Sequence, residues 1–133
     1  MSIVLIPTAL RKSKAFEPSG YLVTYDTDKH SIINRTEIIE PPYRNVDPNP
    51  RGGYRGLKGV SFLEDQVAVA TASTIFIYDK NWMPVTYFFH PTCAGFHDIL
   101  LTEKGVWVTS AHNDILALIS YDGHIANYFD LRK

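Results

Sequence analysis

The chain has 133 residues, 45% hydrophobic and 13% aromatic, which is enough to build one domain, 1–133, around a real core. Only 20% of residues are charged and the formal net charge is −1, so total charge argues for neither nucleic acid nor a membrane surface. The single cysteine, Cys93, excludes an intramolecular disulfide and suits a reducing compartment.

In chain order, the apolar start Ile3 to Leu10 is short and holds Pro7. Its basic cluster Arg11, Lys12 and Lys14 follows the apolar run, the reverse of a secretory leader. No window approaches the roughly 20 apolar residues of a membrane helix, so a soluble, cytoplasmic protein is expected. Val4-Leu5-Ile6 and Tyr21 to Tyr25 read as strands, Asp26-Thr27-Asp28-Lys29 as a hairpin turn, and Ser31 to Ile39 as the returning strand. Further runs at 60–63, 67–71, 74–78, 84–89, 99–102, 106–110, 115–121 and 125–131 alternate with turn residues such as Glu64-Asp65, Glu103-Lys104-Gly105 and Asp122-Gly123. Eleven strands are predicted in all. No segment sustains a helical period, so the predicted class is all-β.

The strands repeat. Gly59 to Leu63 with Val67 to Thr71 matches Asp98 to Thr102 with Val106 to Ser110, 39 positions on at each pair (59 to 98, 67 to 106). Ile75-Phe76-Ile77-Tyr78-Asp79 and Ala117 to Asp122 follow, and each unit closes on a fourth strand, Val85 to Phe89 or Ala126 to Phe129. A repeat near 40 residues of four short strands predicts β-propeller blades, antiparallel and four-stranded. The expected blades span about 2–40, 57–90 and 96–132, the first lacking its first strand. The competing architecture is a small β-sandwich with accidental similarity.

Phe96-His97-Asp98-Ile99, Gly105 to Ser110 and Asn113-Asp114 resemble blades of bacterial NHL-like β-propeller proteins. The loop Asp47 to Gly53 resembles a segment of uncharacterised six- or seven-bladed members. The resemblance implies a scaffold that hosts lyases, hydrolases and pure binding proteins alike. About three blades are present here. The expected partner is therefore a second copy, giving a homodimer, or a complementary chain that completes the ring.

Nearly all unusual residues fall in the connections predicted for one propeller face. Arg11, Lys12, Lys14, Arg44, Arg51, Arg55 and Lys58 outnumber Glu17, Asp47, Asp98 and Asp114 there. That balance suggests an anionic ligand or partner, against the alternative of scattered solvated charge. In the loop Pro41 to Gly56, prolines stiffen the chain, arginines offer bidentate forks, and Tyr43 and Tyr54 offer rings for stacking. The predicted ligand-binding set is Tyr43, Arg44, Arg51, Tyr54, Arg55 and Lys58. A stiff strap whose arginines pair with Asp47 and Asp98 is the other reading.

His97, Asp98 and His112 form the candidate catalytic set, as base, acid or a divalent-metal site near a channel mouth. Strand alternation sends His97 and Asp98 to opposite sides, which favours structural roles instead. His90 and His124 read as structural, Cys93 as a small buried thiol. No cofactor is indicated and no metal is assigned. A binding or scaffold module is expected first, and part of a propeller enzyme second.

Overall fold

The computed structural model describes residues 2–10, 13, 17–39 and 56–132. It is all-β, with eleven strands and no helix among the described residues. Among the described residues no helix is long and apolar enough to cross a membrane. The strands form three antiparallel sheets. The first orders as β1(Ile3–Pro7), β2(Pro18–Asp26) and β3(Ser31–Ile39). The second orders as β4(Gly59–Leu63), β5(Gln66–Ala70), β6(Ile75–Asp79) and β7(Pro84–Phe88). The third runs β8(Phe96–Thr102), β9(Gly105–Ser110), β10(Ile115–Ile119) and β11(Ile125–Asp130) in the same meander. The chain divides into two compact units, one holding β1–β3 with Gly56 and Leu57, the other holding β4–β11.

In the first unit β2 is the central strand. Leu22 and Ile38 are fully buried on one face, with Thr24 and Asp26 beside Leu22 along β2. The opposite face leaves Val4, Ile6 and Ile32 exposed. The Thr8 amide bonds the Tyr21 carbonyl at 2.9 Å, so even-numbered residues of β1 turn their backbone toward β2. Pro7 then has its ring nitrogen on the open edge, where the missing N–H removes a donor from an edge that would otherwise template another strand.

A shared device shapes the turn before the last strand of each sheet. Tyr25-Asp26, Tyr78-Asp79 and Tyr121-Asp122 carry carboxylates that hold the following turn. Asp26 accepts from the Asp28 and Lys29 amides at 2.9 and 3.0 Å, and Asp79 from those of Asn81 and Met83 at 2.8 and 3.0 Å. Asp122 accepts from the Ser120 hydroxyl and the His124 amide. These turns follow from Asx chemistry, which satisfies amides that the ending ladder releases. Gly105 serves the β8–β9 hairpin differently. It sits at φ 146, and a Cβ there would lie 2.2 Å from the Ile119 carbonyl oxygen, so no other residue fits without backbone movement.

The second unit shows how the repeats pack. Ser61, Ala68, Ala70, Ile75, Ile77 and Phe88 lie on one face of β4–β7 by register. That face meets Ile99, Leu101, Val106, Val108, Ala117 and Ile119 of β8–β11 in one core. Register and the 39-residue spacing make Val60, Val67 and Val69 the counterparts of Ile99, Val106 and Val108. They stand on the opposite face of β4–β7. The sheets therefore stack head to tail: a receiving face of one takes the inserting face of the next. The inserting face of β4–β7 is itself buried at Val67, Val69, Phe76 and Tyr78, which explains the uninterrupted apolar run of β5.

At the seam, the edge strands β4 and β8 meet. The Ser61 hydroxyl accepts the Leu101 amide at 2.9 Å in a buried site, capping a donor that the edge of β8 leaves open. Ser61→Ala should strand that amide without a partner, at a cost of about 1–3 kcal/mol. Urea melts of the two proteins measure the loss, and Leu101 amide exchange should accelerate. Burial also holds the Tyr78 phenol neutral, pushing its pKa from 10.0 up to about 12. The stabilisation this confers is whole below pH 10 and is lost as pH rises toward 12. Tyr78→Phe should therefore melt higher than the parent only above pH 10, read from thermal melts across an alkaline series.

Candidate functional site

Strand β8 opens with an irregularity that creates the site. Phe96 pairs with Ser110 and Ile99 pairs with Val108, so His97 and Asp98 together oppose Thr109 alone. This is a β-bulge, which re-aims side chains and increases local twist. The Asp98 amide donates to Thr109 Oγ1 at 3.2 Å, and the Asp98 carboxylate caps the Ile99 amide at 2.9 Å. His97 and Asp98 are both exposed. The sequence signal was the spacing of buried residues Phe96, Ile99 and Leu101, three and then two, where unbroken alternation gives two and two.

Thr109 divides two open hollows. One, of about 320 Å³, is lined by His97, Thr109, Ser110, Asp114 and Arg132, among others. The other, of about 340 Å³, is lined by Asp98, Leu100, Trp107, Thr109 and Leu116 with Ile99. The structure thus keeps His97 and Asp98 adjacent in chain but in different hollows. His112 is exposed and lines neither. Arg132 enters the first hollow already engaged, with its guanidinium 2.9 and 3.1 Å from the Asp130 carboxylate. The paired guanidinium and the Arg132 amide draw the Asp130 pKa down to about 2. Asp114 stood in the sequence only as a counter-charge and part of the blade resemblance, and Arg132 carried no signal there; the β11 return brings Arg132 into the hollow that His97 and Asp114 line. Among the described residues, no group of three or more His, Cys, Asp or Glu is placed to hold a metal ion.

Of the predicted binding set, Tyr43, Arg44, Arg51, Tyr54 and Arg55 lie outside the described residues, as do Arg11, Lys12 and Lys14. Lys58 is half-buried at the start of β4, its amide bonded to the Ala70 carbonyl at 2.7 Å.

The connection from β7 to β8 is rigidly held. Ser110 Oγ accepts the Ala94 amide at 3.1 Å and donates to Asn113 Oδ1 at 2.6 Å, while Asn113 Nδ2 donates to the Thr92 carbonyl at 3.0 Å. Cys93 is fully buried in this knot. Burial pushes its thiol pKa up, opposed by hydrogen bonds with the side chains of Thr92, Ser110 and Asn113. A thiol so placed is a packing group, since the nucleophile is the thiolate. His90 Nδ1 accepts the Thr92 amide at 3.2 Å; partial burial and the nearby His124 hold its pKa down.

No family model matches the chain, and no curated protein matches it. Among solved structures it is similar to a protein of unknown function from Bacteroides caccae, at 10% sequence identity and a TM-score of 0.41. That match covers 95% of this chain, which spans 59% of the other.

A thiol reagent reads the closed knot directly. Ellman's reagent should label native Cys93 at least roughly a hundredfold slower than the urea-unfolded chain. Equal rates would mean that the 90–95 connection opens freely.

Proposed function

We propose that the chain is a β-propeller-type binding or scaffold module. Each four-stranded sheet is a blade, and β1–β3 is a blade without its first strand. Blades from a second copy or a complementary chain complete the ring. The observation that carries this reading is the head-to-tail stacking of the two full sheets, with edge strands β4 and β8 meeting at the seam. A sandwich of two like sheets related by a two-fold would join like faces; a propeller joins unlike ones. The NHL-like resemblance of the third sheet and a cytoplasmic setting belong to the same reading, the latter supported by a lone buried thiol.

In this reading the ligand is anionic and meets the loop-rich face through Tyr43, Arg44, Arg51, Tyr54, Arg55 and Lys58. The support is the sequence: stiff loop, bidentate side chains and local excess of positive charge. A second reading, part of a propeller lyase or hydrolase, draws on the bulge that presents His97 and Asp98 beside Thr109.

Sulfate, ATP or polyphosphate should raise the melting temperature, and Arg51→Glu with Arg55→Glu should abolish the rise. The effect should shrink with salt, since exposed charges are screened over about 10 Å at 0.1 M. No response to any of the three anions overturns the anionic-ligand reading. Turnover of an ester, lactone or glycoside that His97→Ala removes without lowering the melting temperature moves the assignment to the enzyme.

A further inference from the structure

The interface inside the second unit defines what a receiving face must present and what an inserting face must bring. The receiving positions of β4–β7 are Gly59, Ser61, Ala68, Ala70, Ile75, Ile77 and Phe88. Carried along the repeat and its register, they become Asp98, Leu100, Trp107, Thr109, Leu116, Leu118 and Phe129 of β8–β11. Here Leu100 and Phe129 are 57% and 55% exposed, Trp107 stacks on Phe129 at 6.0 Å, and Leu100 and Trp107 line the 340 Å³ hollow. This is a receiving face without an occupant among the described residues. Exposed apolar area in one patch marks an interaction surface.

The first sheet carries the matching inserting face. Tyr25 opposes Val4 as Tyr78 opposes Val67, so Val4 and Ile6 stand where Val67 and Val69, and then Val106 and Val108, stand in the later sheets. Val106 and Val108 are fully buried in their receiving face, whereas Val4 and Ile6 are 45% and 41% exposed.

The occupant's identity is written in the differences between the two receiving faces. Gly59 lies directly under Ile99 of β8, where an added Cβ would stand 3.1 Å from its side chain. Ser61 holds the β8 backbone. Both small residues make room for the first strand of the inserted sheet. At the same positions β8–β11 carries Asp98 and Leu100, with Trp107 in place of Ala68. These larger groups would collide with such a strand. They fit an inserted sheet without one, and among the described residues β1–β3 has none. The inserting face also carries Arg35, laid 3.8 Å over the Tyr21 ring.

We infer that two copies of this chain pair head to tail, the Leu100–Trp107–Phe129 face of each receiving the Val4–Ile6–Val23 face of the other. The inference rests on the repeat reading above and names its partner as a second copy. Two equivalent contacts then arise from one two-fold axis.

Sedimentation velocity on the full chain should show a dimer. Leu100→Glu and Ile6→Glu should each yield monomers with the parent's circular dichroism. An equimolar mixture of the two should recover a dimer, because one intact contact survives. Should glutamate unfold either chain, Leu100→Thr and Ile6→Thr replace them, each raising the dimer dissociation constant at least about tenfold. A monomeric parent overturns the pairing. So does a dimer that either substitution leaves intact, since like faces would then be meeting, and so does a mixture that stays monomeric. A monomer in which Ser61→Ala still destabilises the fold leaves the stacked repeat standing and removes only the pairing. Destabilisation absent at Ser61 removes the repeat reading itself.

Discussion

The structure depends on one constraint: a sheet of five-residue strands with two apolar faces cannot bury either face alone. Each face must be covered by another layer, and the β4–β11 unit shows how. Ile99, Val106 and Val108 are withdrawn from water against Ala68, Ala70, Ile75 and Ile77. Each such side chain contributes about 1.5–3 kcal/mol on burial. The Ser61–Leu101 hydrogen bond contributes about 1 kcal/mol net. Burial therefore drives the stacking, and the hydrogen bond fixes its register. The alanines matter as absences, since their small volume lets the inserted β-branched side chains reach the receiving backbone.

Edges follow from the same constraint. Covering faces in a stack leaves the first strand of each sheet at the seam, where its outward amides need partners. Ser61 meets that need for β8. In β1 the need is reduced by Pro7, whose position on the outward side follows from the Thr8–Tyr21 bond. The turn device is independent of stacking: Asp26, Asp79 and Asp122 close their turns through local carboxylate–amide bonds. Local chemistry shapes each sheet, and burial joins the sheets.

The eleven strands were legible in the sequence because alternation, β-branched content and turn residues agreed, though β2 and β8 begin three residues earlier than expected. The repeat was legible because packing demands the same residue types at the same positions of each layer. Stacking direction was not, since it depends on which of two apolar faces is covered, and the alternating pattern of Gln66 to Ala70 is apolar on both. His97 and Asp98 of the candidate catalytic set line different hollows for a related reason. Alternation alone predicts opposite sides for His97 and Asp98, and their separate hollows agree with that. It gives no hint that an inserted residue sets both beside Thr109. His112 shares their end of the sheet in sequence order, yet proximity along an end does not bring side chains into one hollow. The arginine-rich loop was legible as chemistry only, because nothing in a proline-rich connection specifies which way its side chains point.

Where two repeats share a scaffold, equal residues report the scaffold and unequal ones report what differs in their surroundings. Val67 and Val106, or Val69 and Val108, are equal because both rows are buried. Thr71 and Ser110 are equal in chemistry because both hydroxyls close the turn after the second strand, Thr71 Oγ1 accepting the Thr74 amide and Ser110 Oγ donating to Asn113 Oδ1. Gly59 against Asp98, Ser61 against Leu100 and Ala68 against Trp107 are unequal, all on the receiving face and all larger in the later sheet. Three substitutions of one sign on one face are hard to reconcile with solvent as the neighbour, because water favours neither Leu nor Trp there. In the pairing proposed above, they fill the space that an incoming layer thinner by a strand leaves.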